Sequence, residues 1–232
     1  MKIDLTHLTP LIYLFSMVLA RTFRGFFRAV AMHLQGDERV EEEGFLSLNP
    51  VAHIDAIGIV LSFLLITALT IFSFPLIAGM MSTFIFMIYI VGLRNEVPLE
   101  PRRLIENEKG AAKVVLTSFA GNLVLVLLLM YLAKISTHLG FISVAMQNSI
   151  KIVSVISIDG VLRLALFFLL PVPSLDGMYL LHYINPNVAR MIEDFEEKYG
   201  FIGFFLILMI LDAPITILKA LIIKFLYFLV FI

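Results

Sequence analysis

Long apolar runs separated by short charged segments set the pattern of this chain. The first run extends from near Leu8 to near Leu34 and contains Arg21, Arg24 and Arg28. A second follows NPVAHIDAIG and reaches about Phe74; Pro75 breaks the chain, and a third covers about Leu76 to Leu93. The polar stretch RNEVPLEPRRLIENEKG precedes a fourth run, about Ala111 to Ala133. A fifth covers about Ile150 to Leu170 and stops at PVPSLDG. The acidic connector NPNVARMIEDFEEKYG leads to a last run from Phe201 to Ile232, where Asp212 and Pro214 in DAP read as a cap and restart, giving two helices or one sharp kink. At about 20 apolar residues per span, this predicts an all-α, polytopic membrane protein of about six transmembrane helices. There is no internal repeat, so residues 1–232 read as one membrane domain, with a core at about 8–183 and C-terminal helices at about 201–232.

Composition agrees. Hydrophobic residues make up 60% of the chain, charged residues 15%, and mean hydropathy is +1.00, more apolar surface than a soluble domain can hide. A net charge of −1 gives no attraction to nucleic acid. Without Cys there is no thiolate ligand or thiol nucleophile, and without Trp any aromatic belt must use Tyr and Phe. Nothing near the N-terminus reads as a cleavable signal. Arg39, Arg94, Arg102, Arg103, Lys109, Lys113, Arg190 and Lys198 fall on one side of the predicted membrane, and Lys2, Lys134 and Lys151 on the other. The positive-inside rule then places the N-terminus outside, in a bacterial-type inner (plasma) membrane.

Several segments, in order, resemble the site-2 protease family of intramembrane zinc metalloproteases in its minimal form. GDERVEEEGFLSLNPVAHIDAIG is similar to the stretch from the family's Gly-Asp turn to Asn-Pro-x-x-His-Ile-Asp-x-x-Gly. VPLEPRRLIENEKG with LTSFAGNLVLVLLL resembles its Pro-Val-x-Pro loop and Ala-Gly-Pro helix. LALFFLLPVPSLDGMYLL resembles its Leu-Asp-Gly segment, and YGFIGFFLIL its last helix. The likeness covers the chain from about Met17 onward. It implies a site-2-protease-like core, in which zinc is held by His-Glu-x-x-His on the first core helix and by the aspartate of Leu-Asp-Gly.

Counting back from Gly36-Asp37 puts that motif on Arg24-Gly25-Phe26-Phe27-Arg28. Two His at i and i+4 share one helix face and offer nitrogen ligands, and the Glu beside the first is the general base. Here the ligand positions hold Arg24 and Arg28, which stay protonated, and the base position is Gly25. Phe168 replaces an Asn of the family, and Asn122 the Pro of Ala-Gly-Pro. Asp176 alone keeps a metal-ligand identity, and one carboxylate does not make a zinc site. The resemblance is therefore to a catalytically inactive member, with no zinc cofactor and no catalytic residue expected.

Arg21, Arg24 and Arg28 fall within a stripe of roughly 60° on one helix face. A charged side chain at the bilayer centre costs about 2.5–3.5 kcal/mol or more, so the stripe needs a partner. We expect a buried charge cluster of Arg21, Arg24, Arg28 and Asp176, with a guanidinium in the zinc's place and Asp176 paired through Arg28 or Arg24. The alternative is that the arginines line a watery vestibule or snorkel to the inner surface. Asn49, Pro50, His53 and Asp55 read as a structural motif that caps the second helix or bridges loops; His33 and His53 with Asp55 or Asp176 are a weaker metal candidate. His7, His138 and His182 read as solvated, Asp159 and Arg163 as an i, i+4 pair, Asp212 as a cap, and Lys219 and Lys224 as reaching an interface or partner. EEEG and EDFEEK read as solvated faces beside the membrane. The segment from Gln35 to Asn49 should be irregular or a short hairpin at the inner surface, turning at Gly36 and Gly44.

The leading functional reading is a pseudoprotease that binds a transmembrane partner or serves as a subunit of a larger membrane complex. Its partners would be other integral membrane proteins and the lipid bilayer, with no nucleic acid. Behind it stand an intramembrane metalloprotease with a rearranged site, and a small transporter or ion pathway lined by Arg21, Arg24, Arg28, Asp176 and Asp212.

Overall fold

Charges and chain breakers determine where the helices end. The computed structural model describes residues 8–55, 58, 60, 64, 96–139, 141, 143–173 and 175–231. The second and third apolar runs lie almost wholly outside these residues. Among the described residues all regular structure is helical, with no strand. The chain forms α1 (Thr9–Leu34), the single turns α2 (Arg39–Glu42) and α3 (Pro50–His53), and a 3-10 turn at Pro101–Arg103. Then follow α4 (Asn107–Ser136), α5 (Val144–Phe168), α6 (Gly177–Ile184) and α7 (Pro186–Phe231).

α1 starts with a proline in its first turn, where a missing N–H is harmless. Its 26 residues span about 39 Å. It ends at Gly36, whose φ of 88° suits only glycine well. There Gly36 N–H donates to the His33 carbonyl at 2.9 Å and Asp37 N–H to that of Met32 at 3.1 Å, the paired bonds that satisfy a helix's last carbonyls. α2 repeats this ending: at Gly44 (φ 77°) the chain turns, Phe45 N–H donates to the Val40 carbonyl at 2.8 Å, and the two side chains are buried together. The segment between Gln35 and Asn49 is thus two glycine-stopped turns.

α1, α4 and α5 pack into a three-helix core, with Met17, Ala20, Leu125, Val126, Val161, Leu162 and Leu164 among its buried side chains. The helices approach closely at glycines. A Cβ on Gly121 would come within 2.8 Å of the Phe27 ring, and one on Gly160 within 3.2 Å of Tyr13. A second apolar cluster, built on Met32, Val40, Phe45, Val97, Leu99, Leu104, Val114 and Val115, fastens the loop before α4 against the C-terminal end of α1. Polar ties reinforce it. Arg39 bonds Asp37 and Glu100, each at 2.7 Å, and Tyr179 Oη donates to the Leu99 carbonyl at 2.8 Å.

Two stretches are long and apolar enough to cross a membrane among the described residues: Asn107–Ser136, mean hydropathy 2.2, and Ala213–Phe231, mean hydropathy 2.0. α1 and α5 match them in length but carry charged groups along the helix. The break expected at Asp212–Pro214 is found instead at Gly200 (φ 54°, ψ −139°), and the helix continues through Pro214. Proline removes one ladder bond. In apolar surroundings, leaving the ladder altogether would orphan far more backbone groups, whereas Gly200 adopts its left-handed geometry at no steric cost. The acidic connector is itself helical from Pro186 to the break, so it is an arm and not a loop.

Candidate functional site

Arg21, Arg24 and Arg28 project from one face of α1 and are only 1%, 2% and 3% exposed. Groups so deep cannot snorkel, so they must find charge inside the protein. Two carboxylates supply it. Asp176, 4% exposed, sits at the turn that enters α6 and accepts a hydrogen bond from Arg24 Nη2. That turn requires Gly177, because a Cβ there would run into the backbone carbonyls of Leu169 and Leu170. Glu96 arrives from the loop before α4. Its Oε1 accepts from Arg21 Nη1 at 2.9 Å and from Arg24 Nη1, and its Oε2 accepts from Arg28 Nη1 at 3.1 Å.

Arg24 is therefore the hub, joining Glu96 to Asp176 through its two terminal nitrogens. Phe168 closes one side: its ring centroid lies 3.6 Å from the Arg24 guanidinium carbon and 4.8 Å from that of Arg21. A desolvated contact of this kind contributes about 2 kcal/mol. Arg28 turns to Glu96 and not to Asp176, and Glu96 is the member that sequence reasoning missed. Its signal was arithmetic: three cations withdrawn from water against one aspartate leave two charges unmatched, and the acids of the adjoining loop were the nearest supply.

Gly25 has a packing reason. A Cβ there would strike Nδ1 of the His53 ring, so the residue beside Arg24 is small because His53 lies on the helix backbone. His53 Nε2–H donates to the Ser47 carbonyl at 2.7 Å, which leaves Nδ1 as a bare acceptor in the neutral ring, and burial pushes the His53 pKa down. Asn49 caps α3 by accepting from Val51 N–H at 3.1 Å, with Pro50 following, and Asp55 accepts from Gly58 N–H at 2.9 Å. A water-sized void of about 10 Å³ lies among Gly25, Arg28, Phe45, His53 and Glu96. A second void of similar size lies among Arg24, Ser118, Asn122, Phe168 and Asp176; among the described residues, neither side-chain polar atom of Asn122 has a partner.

Zinc does not suit this donor set. Asp176 is already committed to a guanidinium, Arg24 and Arg28 cannot ligate, and the position beside Arg24 is filled by a histidine ring. His53 Nδ1 faces Gly25, and among the described residues no group of three or more His, Cys, Asp or Glu lies close enough to hold a metal ion. His33 stands apart, 3.7 Å from Glu41.

A second charged group joins three helices. Asp159 Oδ2 accepts from Arg163 Nε at 2.9 Å and from Tyr13 Oη at 3.4 Å, and its Oδ1 accepts from Lys219. Lys219, read from sequence as reaching an interface or a partner, instead ties α7 to α5. His182, read as solvated, is 2.8 Å from Glu193. His138 and Lys224 are exposed; His7 and the Asp212 side chain lie outside the described residues.

The chain is similar to "Putative zinc metalloprotease YwhC" of Bacillus subtilis (strain 168), with 28% identity over 193 residues, 82% of this chain and 76% of that protein. This likeness fits a site-2-protease-like family. No family model matches the chain, and no solved structure matches it significantly.

Proposed function

We propose that this chain is a non-catalytic, multi-pass member of the site-2-protease-like group, in which a salt-bridged guanidinium has taken the place of the metal. The observation that carries the reading is Arg24. Its guanidinium bridges Glu96 and Asp176 and stacks on Phe168, so one side chain does the cross-linking that a divalent cation would do between α1 and the α6 turn. Removing the metal without this replacement would leave Asp176 buried and unpaired. With Arg24, Gly25 and Arg28 in the motif, both nitrogen ligands and the general base of His-Glu-x-x-His are missing, so water activation loses its agents there.

What remains is a helical membrane scaffold. We read it as a six-helix chain of the bacterial inner membrane with its N-terminus outside, which binds another membrane protein's transmembrane segment or serves as a subunit of a membrane complex. Two measurements test this. Elemental analysis of chelator-free protein purified from native membranes should find well under one zinc per chain, with a stoichiometric membrane protein co-purifying. One tightly held zinc per chain would overturn the pseudoprotease reading; a chain that purifies alone and conducts a solute would overturn the scaffold reading. Labelling a cysteine placed at the exposed Glu42 from the inner side only is the expected topology, and access from outside alone would invert it.

A further inference from the structure

The arm of α7 from Pro186 to the break at Gly200 carries an apolar face that the described residues leave largely exposed, with Gly203 approaching the Phe195 ring. Val188, Met191, Phe195 and Tyr199 are 36%, 64%, 38% and 48% exposed. At 100° per residue they fall within an arc of about 80° on the arm's surface. Glu193, Asp194 and Glu197 lie on the opposite side with Arg190. The edge between the apolar stripe and that charged side is taken up by α6: Ala189 is fully buried, and Glu193, at the margin of the charged side, meets His182 at 2.8 Å. The arm is thus docked on one edge, charged on its far face and apolar on a third.

We infer that this arm is an interfacial helix, its Val188–Met191–Phe195–Tyr199 stripe seated in the headgroup and acyl boundary of the bilayer. The occupant follows from position and charge. Past Gly200 the sequence turns apolar at once, FIGFFLILMIL over residues 201–211, and the helix leads on into Ala213–Phe231, one of the two stretches among the described residues apolar enough to cross a membrane, so the arm's end is held near the boundary. The Phe195 and Tyr199 ring centroids lie 4.6 Å apart within the stripe, tilted by 44°, an aromatic pair of the kind that seats at a membrane interface. Four carboxylates against two cations make the arm acidic, so lipid charge does not draw it in. Apolar burial holds it, and a zwitterionic surface should serve better than an anionic one.

The chain contains no tryptophan, so a single introduced one reports without background. Phe195→Trp and Met191→Trp variants of the full chain, reconstituted in phosphatidylcholine, should show blue-shifted emission that brominated acyl chains largely quench. Glu197→Trp, on the charged face, should emit as in water and stay unquenched. Leu221→Trp, exposed on the spanning stretch, serves as the reference and should be quenched. Quenching at Leu221 but not at Phe195 or Met191 would overturn the inference while leaving the membrane reading intact. So would equal quenching at Phe195 and Glu197. Blue-shifted but unquenched emission at Phe195 would mean that protein covers the stripe, which overturns it too.

Discussion

Replacing Glu96 by glutamine keeps the side chain's shape and removes the charge that three guanidinium groups share. In the native protein its two oxygens accept from Arg21, Arg24 and Arg28, with all four side chains at most 5% exposed. Breaking one buried pair by neutralising a member costs about 3–5 kcal/mol, because the survivor keeps its desolvation penalty and loses its compensation. Here three guanidinium groups lose that charge together, and Asp176 bonds only Arg24 among the described residues. That range is therefore a floor, and it is a large share of the roughly 5–15 kcal/mol that holds a domain folded. At about 2–4 °C per kcal/mol for a chain of this size, Glu96→Gln should lower the melting temperature by roughly 6–20 °C. The assay is thermal unfolding in detergent followed by circular dichroism, with parent and variant prepared side by side. A variant that melts within about 2 °C of the parent would refute the reasoning: the arginines would then be hydrated, or their charge met elsewhere.

Asp176→Ala should destabilise less than Glu96→Gln, because Arg24 keeps its bond to Glu96, and adding Arg24→Met should recover part of the loss; a double-mutant cycle in melting temperature measures the coupling. Gly25→Ala should cost about 1–3 kcal/mol by driving a methyl group into the His53 ring, and His53→Ala in the same chain should relieve it, which denaturant midpoints will show. Hydrogen bonds from Arg39, opposed by burial, hold the Asp37 carboxyl below its ordinary value of 3.8. Its stabilisation is thus complete above that value and is lost as pH falls through the lower folded-state value. Asp37→Asn should flatten the acid limb of a stability-against-pH profile there, and an unchanged limb would remove Asp37 from the account.

Much of the molecule was legible in the sequence because it depends on residues near one another. The three- and four-residue steps between Arg21, Arg24 and Arg28 make a one-sided stripe whatever α1 packs against. Gly36 and Gly44 announce turns because left-handed backbone suits few other residues. What depends on distant chain segments was not legible. Which arginine meets Asp176 depends on how far the α6 turn reaches, and the link from Lys219 to Asp159 depends on how α7 lies on α5. Glu96 was hidden in a polar stretch that reads equally well as a solvated connector. Gly25 looked like a loss of chemistry until the His53 ring was found lying across it. Pro214 was the obvious helix breaker, yet the break went to Gly200, because backbone hydrogen bonds in apolar surroundings outweigh a single missing donor.

The arginine cluster also bears on how the chain is made. Arg28 precedes Glu96 by 68 residues, and Arg24 precedes Asp176 by 152. At about 5–20 residues per second of synthesis, the first carboxylate emerges roughly 3–14 s after the cations it will meet, and the second about 8–30 s after. During that interval α1 holds three positive charges and no counterion, each costing about 2.5–3.5 kcal/mol at the centre of a bilayer. α1 is thus poorly able to settle in lipid by itself. On the multi-pass reading proposed above, α1 settles in lipid only together with the later segments that bring Glu96 and Asp176 to it.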